Sequence, residues 1–246
     1  ISFEEYNSGL QIGQFYTIAV SQNDPTTIAG GLQDNGGFAY TNNAWKVYYG
    51  ADGMESAIDP NNSNNIYGMI QFGDLYQTTD GGTNLSYLGS PESGLWVTPM
   101  QIDPNNDRIV AGYSELYEYT QTNGWVNLSN FGFSGDLRQI EIFEGNSDII
   151  LVSTSDQIYK TIDNGANFTE ITSNIEAVTF SNFVITSIEI NPNNEDEIWL
   201  TIGGASVGNK VVHSNNGGQS WSNISGNLPN IPTHIVKYEN GSDGGI

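Results

Sequence analysis

The chain has 246 residues and a formal net charge of −22, from 28 Asp and Glu against six Lys and Arg. That balance leaves no basic footprint for nucleic acid and disfavours docking on an anionic membrane; cations, neutral sugars and basic proteins remain as ligand classes. There is no cysteine, hence no disulfide framework or thiolate metal site, and no apolar run reaches the ~18 residues of a membrane span.

No signal peptide is visible and Ile1 is not an initiator methionine, so a processed chain or part of a longer one is expected. An apolar strand end, a Pro/Asn-rich turn and a second apolar strand recur along the sequence. The unit reads V-S-Q-N-D-P-T-T-I from Val20, I-D-P-N-N-S-N-N-I from Ile58 and I-D-P-N-N-D-R-I from Ile102. A worn copy starts at Ile142 and another, I-N-P-N-N-E-D-E-I, at Ile190. These anchors lie 38, 44, 40 and 48 residues apart, and Val236 follows 46 later. A period in the low forties built of short strands fits a four-stranded propeller blade, and no segment carries the 3.6-residue periodicity of a helical repeat.

Each repeat divides into strands A to D. Strand A is expected at Tyr16–Val20, Ser56–Ile58, Met100–Ile102, Gln139–Ile142, Thr186–Ile190 and Ile235–Tyr238. Strand B follows at Ile28–Gly31, Ile66–Ile70, Ile109–Tyr113, Ile149–Ser153 and Ile198–Ile202. Strand C is Phe38–Thr41, Leu75–Thr78, Leu116–Thr120, Ile158–Thr161 and Val211–Ser214. Strand D opens at Trp45, Leu85, Trp125, Phe168 and Trp221. Ile1–Tyr6 reads as the last strand of an earlier blade.

Between strands C and D stand T-T-D-G-G-T-N-L from Thr78, T-I-D-N-G-A-N-F from Thr161 and S-N-N-G-G-Q-S-W from Ser214. A hydroxyl, an Asp or Asn two residues on, and glycines form a tight turn: the side-chain oxygen caps backbone N–H groups and glycine supplies positive φ. Asp80, Asp163 and Asn216 are therefore expected to be structural.

The expected fold is all-β: a propeller of four-stranded antiparallel blades, one domain over 1–246. Its blades fall near 14–50, 51–92, 93–132, 133–178 and 179–228, with a partial blade from 229–246 and 1–13. Five whole blades with broken edges imply part of a six- to eight-bladed ring, because closure removes unpaired sheet edges; a five-bladed ring closed by the termini is the alternative.

The S/T-x-D-x-G-x-x-W/F hairpin resembles the Asp-box, or BNR repeat, of β-propellers that include sialidases, sortilin-type ectodomains and xyloglucanase-like glycoside hydrolases. With the Gln33-Asp34-Asn35-Gly36 and Gly50–Met54 stretches and the I-D-P-N-N turns, the chain is most similar to sortilin-like propellers of secreted bacterial proteins. The resemblance spans essentially the whole chain. It implies a secreted or cell-surface bacterial protein whose site lies on the B–C and D–A loops.

Two candidates there break the repeat. Asp34 stands in the first B–C loop, Leu32–Phe38, and Asp52 in the next D–A loop, Gly50–Glu55. Glycoside hydrolysis uses such paired carboxylates, one as acid and one as base or nucleophile. The stretch from Gln33 to Phe38 is also similar to one that carries a catalytic carboxylate in xyloglucanase-like hydrolases. The alternative is that each Asp caps its own Gly-rich turn. Gln33, Glu55, Gln71, Trp96 and Arg138 are candidate ligand contacts, with Asp74, Glu92, Glu115, Phe131, Phe133, Asp136, Asp156 and His234 as weaker ones. A lone Arg on that face does not supply the arginine cluster of a sialidase. No EF-hand pattern occurs and His213 and His234 are isolated, so neither a metal nor a cofactor is expected. The expected function is a non-catalytic module binding a glycan or protein partner; a glycoside hydrolase, and a component or passenger of a bacterial secretion or surface assembly, are the alternatives.

Overall fold

A computed structural model of the chain describes residues 13–173, 175, 179, 183–239, 241, 242, 245 and 246. The strand expected at 1–6 lies outside the described residues. Five four-stranded sheets account for the described strands, each strand pairing antiparallel with the next in sequence. The first holds β1 (Phe15–Val20), β2 (Ile28–Leu32), β3 (Gly36–Thr41) and β4 (Ala44–Tyr49). The second holds β5 (Gly53–Asp59), β6 (Asn62–Ile70), β7 (Leu75–Thr78) and β8 (Ser86–Gly89), with a 3-10 turn at Gln71–Gly73. The third holds β9 (Met100–Ile102), β10 (Ile109–Gly112), β11 (Leu116–Thr120) and β12 (Gly124–Asn127). The fourth holds β13 (Gln139–Ile142), β14 (Ile150–Ser153), β15 (Ile158–Thr161) and β16 (Thr169–Glu170). The fifth holds β17 (Ile185–Asn191), β18 (Asn194–Ile202), β19 (Val211–Ser214) and β20 (Ser222–Asn223).

The expected A–B–C–D division holds in all five sheets, with differences at the ends. Glu55, expected in a loop, lies inside β5, because that strand starts at Gly53. Leu85, Phe168 and Trp221 precede their fourth strands instead of opening them. Ile235–Tyr238 forms no strand. It lies against β17 through side chains: Val236 N–H donates to Ser187 Oγ (3.5 Å), Tyr238 N–H to Glu189 Oε1 (2.9 Å) and Lys237 Nζ to Glu189 Oε2 (2.6 Å). A strand needs a backbone partner on its ladder, and these side chains do not provide one.

The structure forms two compact units, residues 1–71 with 75–87 and residues 72–74 with 88–246. In the first unit, Ala29, Ala39, Tyr48 and Tyr49 of the first sheet pack on Ile58 and Ile66 of the second. The opposite face of the first sheet leaves Ile18, Val20, Trp45 and Val47 more than half exposed. In the second unit, Val110, Leu116 and Leu137 pack with Ile140, Ile150 and Val152. A larger cluster joins Leu151 and Ile158 to Ile188, Leu200, Val212 and Trp221. Apolar residues at every second position of the inner strands supply these sheet-on-sheet cores.

The three turns with the hydroxyl–x–Asp/Asn pattern share most of their bonding. Thr78 Oγ1 donates to Asp80 Oδ1 (2.9 Å) and accepts from Gly82 N–H (2.9 Å), while Asp80 Oδ1 also accepts the N–H groups of Thr83 and Asn84. Thr161 with Asp163, and Ser214 with Asn216, repeat the arrangement except that the Ala166 and Gln219 N–H groups turn to the backbone carbonyls of Asp163 and Asn216. In the first sheet the same place is a two-residue turn with Asn42 and Asn43 at positive φ.

Candidate functional site

Five of the residues singled out in the sequence fall in the first unit. Gln33 and Asp34 lie between β2 and β3; Asp52 precedes β5 and Glu55 lies within it; Gln71 opens the turn after β6. Close backbone packing brings the loops together. A Cβ on Gly31 would sit 2.1 Å from the Met54 carbonyl oxygen, and one on Gly53 2.1 Å from that of Gly36, so only glycine fits at this crossing. Asp34 takes φ = 61°, a left-handed conformation that Asp tolerates better than most residues.

A short chain of hydrogen bonds then runs from loop to loop. The Asp34 N–H donates to Asp52 Oδ1 at 2.7 Å, and the Asp52 N–H donates to Gln71 Oε1 at 3.2 Å. The Gln33 N–H donates to the Gln14 carbonyl (3.0 Å), and Asn35 Nδ2 to the Gln33 carbonyl (2.8 Å). Asp52 thus caps the neighbouring loop and not its own. The Asp34 side chain is exposed, and its carboxylate accepts no hydrogen bond among the described residues. Glu55 points elsewhere: it is half-buried beside Thr17, and burial pushes its carboxyl up to about 7 against a hydrogen bond from Thr17 that pulls it down.

The second unit holds a separate cleft of about 140 Å³, lined by Leu95 and by Ser134, Asp136, Arg138, Thr154, Ser155 and Asp156. Its walls are the β8–β9, β12–β13 and β14–β15 connections. The Arg138 N–H donates to the Ser153 carbonyl (2.7 Å), Thr154 N–H to the Gln157 carbonyl (3.0 Å) and Ser155 Oγ to Asp156 Oδ1 (3.0 Å). The Ser134 hydroxyl bonds Gln157 Oε1. Thr154 is buried and its hydroxyl has no hydrogen-bond partner.

Next to Leu95, the Trp96 ring stands edge-on to Phe72, with centroids 5.4 Å apart, and both rings are nearly half exposed. The Gly94 N–H donates to the Phe72 carbonyl (2.8 Å), fixing the two loops together. Phe72 takes φ = 68°, a strained position for a bulky side chain. Glu92 and Glu115 serve their own loops. Glu92 accepts from the Ser114 N–H and hydroxyl, and Glu115 from Ser129 Oγ and the Phe131 and Gly132 N–H groups. Phe133 packs on Tyr159 and Phe168, and Phe131 joins that cluster from its exposed side. His213 Nε2 lies 3.3 Å from Glu197 Oε1, and its ring stacks on Trp199.

Sequence reasoning brought Trp96, Asp136, Arg138 and Asp156 to one loop set and missed Phe72, Ser134, Thr154 and Ser155. Phe72 had one signal: a bulky residue between Gln71 and Gly73 in a turn. The serines and threonines had none. No group of three or more His, Asp or Glu among the described residues is placed to hold a metal ion.

No protein-family model and no curated protein sequence matches this chain. Solved structures do. An ancestral GH74 enzyme matches with a TM-score of 0.71 at 17% identity, over 89% of this chain and 32% of that one. The GH74 xyloglucanase from Xanthomonas campestris matches with a TM-score of 0.64 at 14% identity, over 83% and 38%. YCF48 bound to D1 peptide matches with a TM-score of 0.62 at 16% identity, over 85% and 66%. The likeness is one of fold: this chain is a β-propeller of four-stranded antiparallel blades, and it spans about a third of the length of the two GH74 structures.

Proposed function

We propose that the chain is a secreted or cell-surface propeller module of the Asp-box, sortilin-like kind, binding a glycan or protein partner without catalysing its conversion. The observation that carries this reading is the cleft of Arg138, Asp136 and Asp156 beside the exposed Phe72–Trp96 pair. Polar side chains of both signs around a recess, next to aromatic surface, form a recognition site: the polar groups orient a ligand and the rings give contact area. Such a module also fits a place in a larger surface or secretion assembly. Screening the protein against a glycan array and a peptide library, with Trp96→Ala and Arg138→Ala in parallel, tests it. Ligands should bind the parent at least ten-fold more tightly than either variant. Binding that both variants retain in full would place the site elsewhere.

A second reading rests on the first unit. The juxtaposed loops of Asp34 and Asp52, on a fold shared with GH74 enzymes, favour a glycoside hydrolase. A reducing-sugar assay on neutral polysaccharides with Asp34→Ala decides: release that falls by about 10²-fold or more in the variant supports hydrolysis, and no release by the parent removes it.

A further inference from the structure

The chain has six basic residues, and five of them hold the scaffold. Lys46 Nζ donates to the Gly81 carbonyl (3.0 Å), Lys160 Nζ to the Glu195 carbonyl (3.4 Å) and Lys210 Nζ to the Gly204 carbonyl (2.7 Å). Arg108 is buried against Asp103 (2.7 Å) and Glu118 (2.8 Å), and Lys237 is paired with Glu189 (2.6 Å). Arg138 differs. Its guanidinium is exposed and has neither a hydrogen bond nor an ion pair among the described residues. It stays unpaired in a chain with 28 carboxylate side chains, two of which share the cleft with it. The Arg138 N–H to Ser153 carbonyl bond (2.7 Å) ties this residue's backbone to the end of β14.

The cleft therefore presents one unpaired cation and two carboxylates within a single recess. Opposite charges across an interface select partners by complementarity, and same-sign juxtaposition rejects others. A purely acidic ligand would meet Arg138 but also Asp136, Asp156 and the −22 field. A purely basic ligand would be drawn by the field and then meet Arg138. A segment that carries an acid flanked by bases satisfies all three side chains, its carboxylate taking the planar fork of Arg138. The unsatisfied Thr154 hydroxyl in the cleft wall, and the hydroxyls of Ser134 and Ser155, suit polypeptide amides alongside. The Phe72–Trp96 pair offers flat surface for the aliphatic stem of a lysine or arginine, with a cation–π contribution.

The geometry points to a polypeptide ligand of mixed charge, bearing an acidic side chain next to basic ones, as what this cleft binds. The inference rests on the partner-binding reading above and narrows it to protein.

Fluorescence anisotropy on the full chain, at about 0.05 M and about 0.3 M salt, with four labelled synthetic peptides of equal length tests it. One peptide has basic–acidic–basic triplets, one is all-basic, one all-acidic and one neutral. The mixed-charge peptide is expected to bind most tightly and to keep most of its affinity at the higher salt. Arg138→Ala should weaken it about ten-fold or more, Arg138→Lys by less, and Arg138→Glu should shift the preference to the all-basic peptide. Trp96→Ala should weaken the mixed peptide without reordering the four. If the all-basic peptide binds best and Arg138→Ala leaves it unchanged, the acidic field alone governs binding and the inference fails. If none of the peptides binds while a neutral oligosaccharide does, and Trp96→Ala abolishes that, the module still binds a partner but its ligand is a glycan. Loss of every ligand would overturn both.

Discussion

At the scale of single residues, the carboxylates divide by what surrounds them. Hydrogen bonds hold Asp80 well below the usual carboxylate range and lower Asp163 as well. Asn84 provides the largest contribution for Asp80, and the Asn167 side chain and N–H for Asp163. A lowered folded value means that the unfolded chain takes up protons first, so this stabilisation is complete above the unfolded value, near 3.8, and drains away as pH falls through the folded one. The third turn shows that the position also works uncharged: Asn216 Oδ1 accepts from the Ser220 N–H (2.9 Å) while its Nδ2 donates to Ser220 Oγ (2.8 Å). The double variant Asp80→Asn, Asp163→Asn should therefore melt lower than the parent at pH 7 and lose less further stability between pH 5 and about pH 3. Thermal melts at a series of pH values read this directly, and parallel curves would assign the acid sensitivity to other groups. Glu55 behaves oppositely. Its carboxyl, pushed up to about 7, favours folding fully below 4.5 and progressively less as pH rises through 7. Glu55→Gln should raise stability at pH 8 by at most ~3 kcal/mol, the full value of such a shift, and change nothing near pH 4.5. Denaturant unfolding at the two pH values separates this from a general packing effect, which would appear at both.

At the scale of elements, the second position of strand pairing decides what the loops can do. Gly31, Gly36 and Gly53 allow β2 and the loop after it to approach β5 backbone to backbone, and this approach places the Asp34 amide on the Asp52 carboxylate. Gly53→Ala puts a methyl 2.1 Å from a carbonyl oxygen. It should cost about 1–3 kcal/mol in denaturant unfolding, as overpacking of a fixed backbone does, and should slacken the Asp34–Asp52 bond, seen as faster exchange of the Asp34 amide proton. An unchanged exchange rate would mean that the two loops are held by something other than this crossing. The same elements show what was legible in the sequence. Strand C was readable to the residue in four sheets, Leu75–Thr78, Leu116–Thr120, Ile158–Thr161 and Val211–Ser214, and in three of them a turn with a defined residue pattern ends it. The fold follows from repetition of one local pattern. Strand ends without such a turn were less readable: β6 and β18 run back to Asn62 and Asn194, since a two-residue hairpin lets polar asparagines pair. Ile235–Tyr238 has strand-like alternation but no ladder partner, and a partner is a tertiary fact. The candidate site was legible only where residues broke the repeat. Asp34, Asp52, Trp96 and Arg138 did so, whereas Thr154 and Ser155 look like any loop residues until their neighbours are in place.

At the scale of the whole molecule, charge is the dominant feature that no single contact explains. Five of the six basic residues are tied to particular partners, and four of those, Lys46, Arg108, Lys160 and Lys210, each bond a backbone carbonyl. The basic residues therefore organise turns and strand ends, and among the described residues only Arg108 and Lys237 of the six pair with any of the 28 carboxylate side chains. What remains is a surplus of −22 whose mutual repulsion is relieved by dissolved ions, over a screening length of about 10 Å at 0.1 M salt. Unfolding spreads these charges apart, so repulsion weakens the folded state more than the unfolded one. The midpoint of thermal unfolding at pH 7 should therefore rise by roughly 2–5 °C between about 0.02 M and about 0.3 M sodium chloride, and then level off as screening saturates. Potassium chloride at the same ionic strength should act equally, because screening depends on charge and not on ion identity. A rise that keeps growing past about 0.5 M would instead mark salt exclusion from apolar surface, such as the exposed face of Ile18, Val20, Trp45 and Val47. Repeating the titration near pH 4.5 separates the two causes. Protonation of the carboxylates should flatten the low-salt rise there, whereas an effect on apolar surface would persist unchanged.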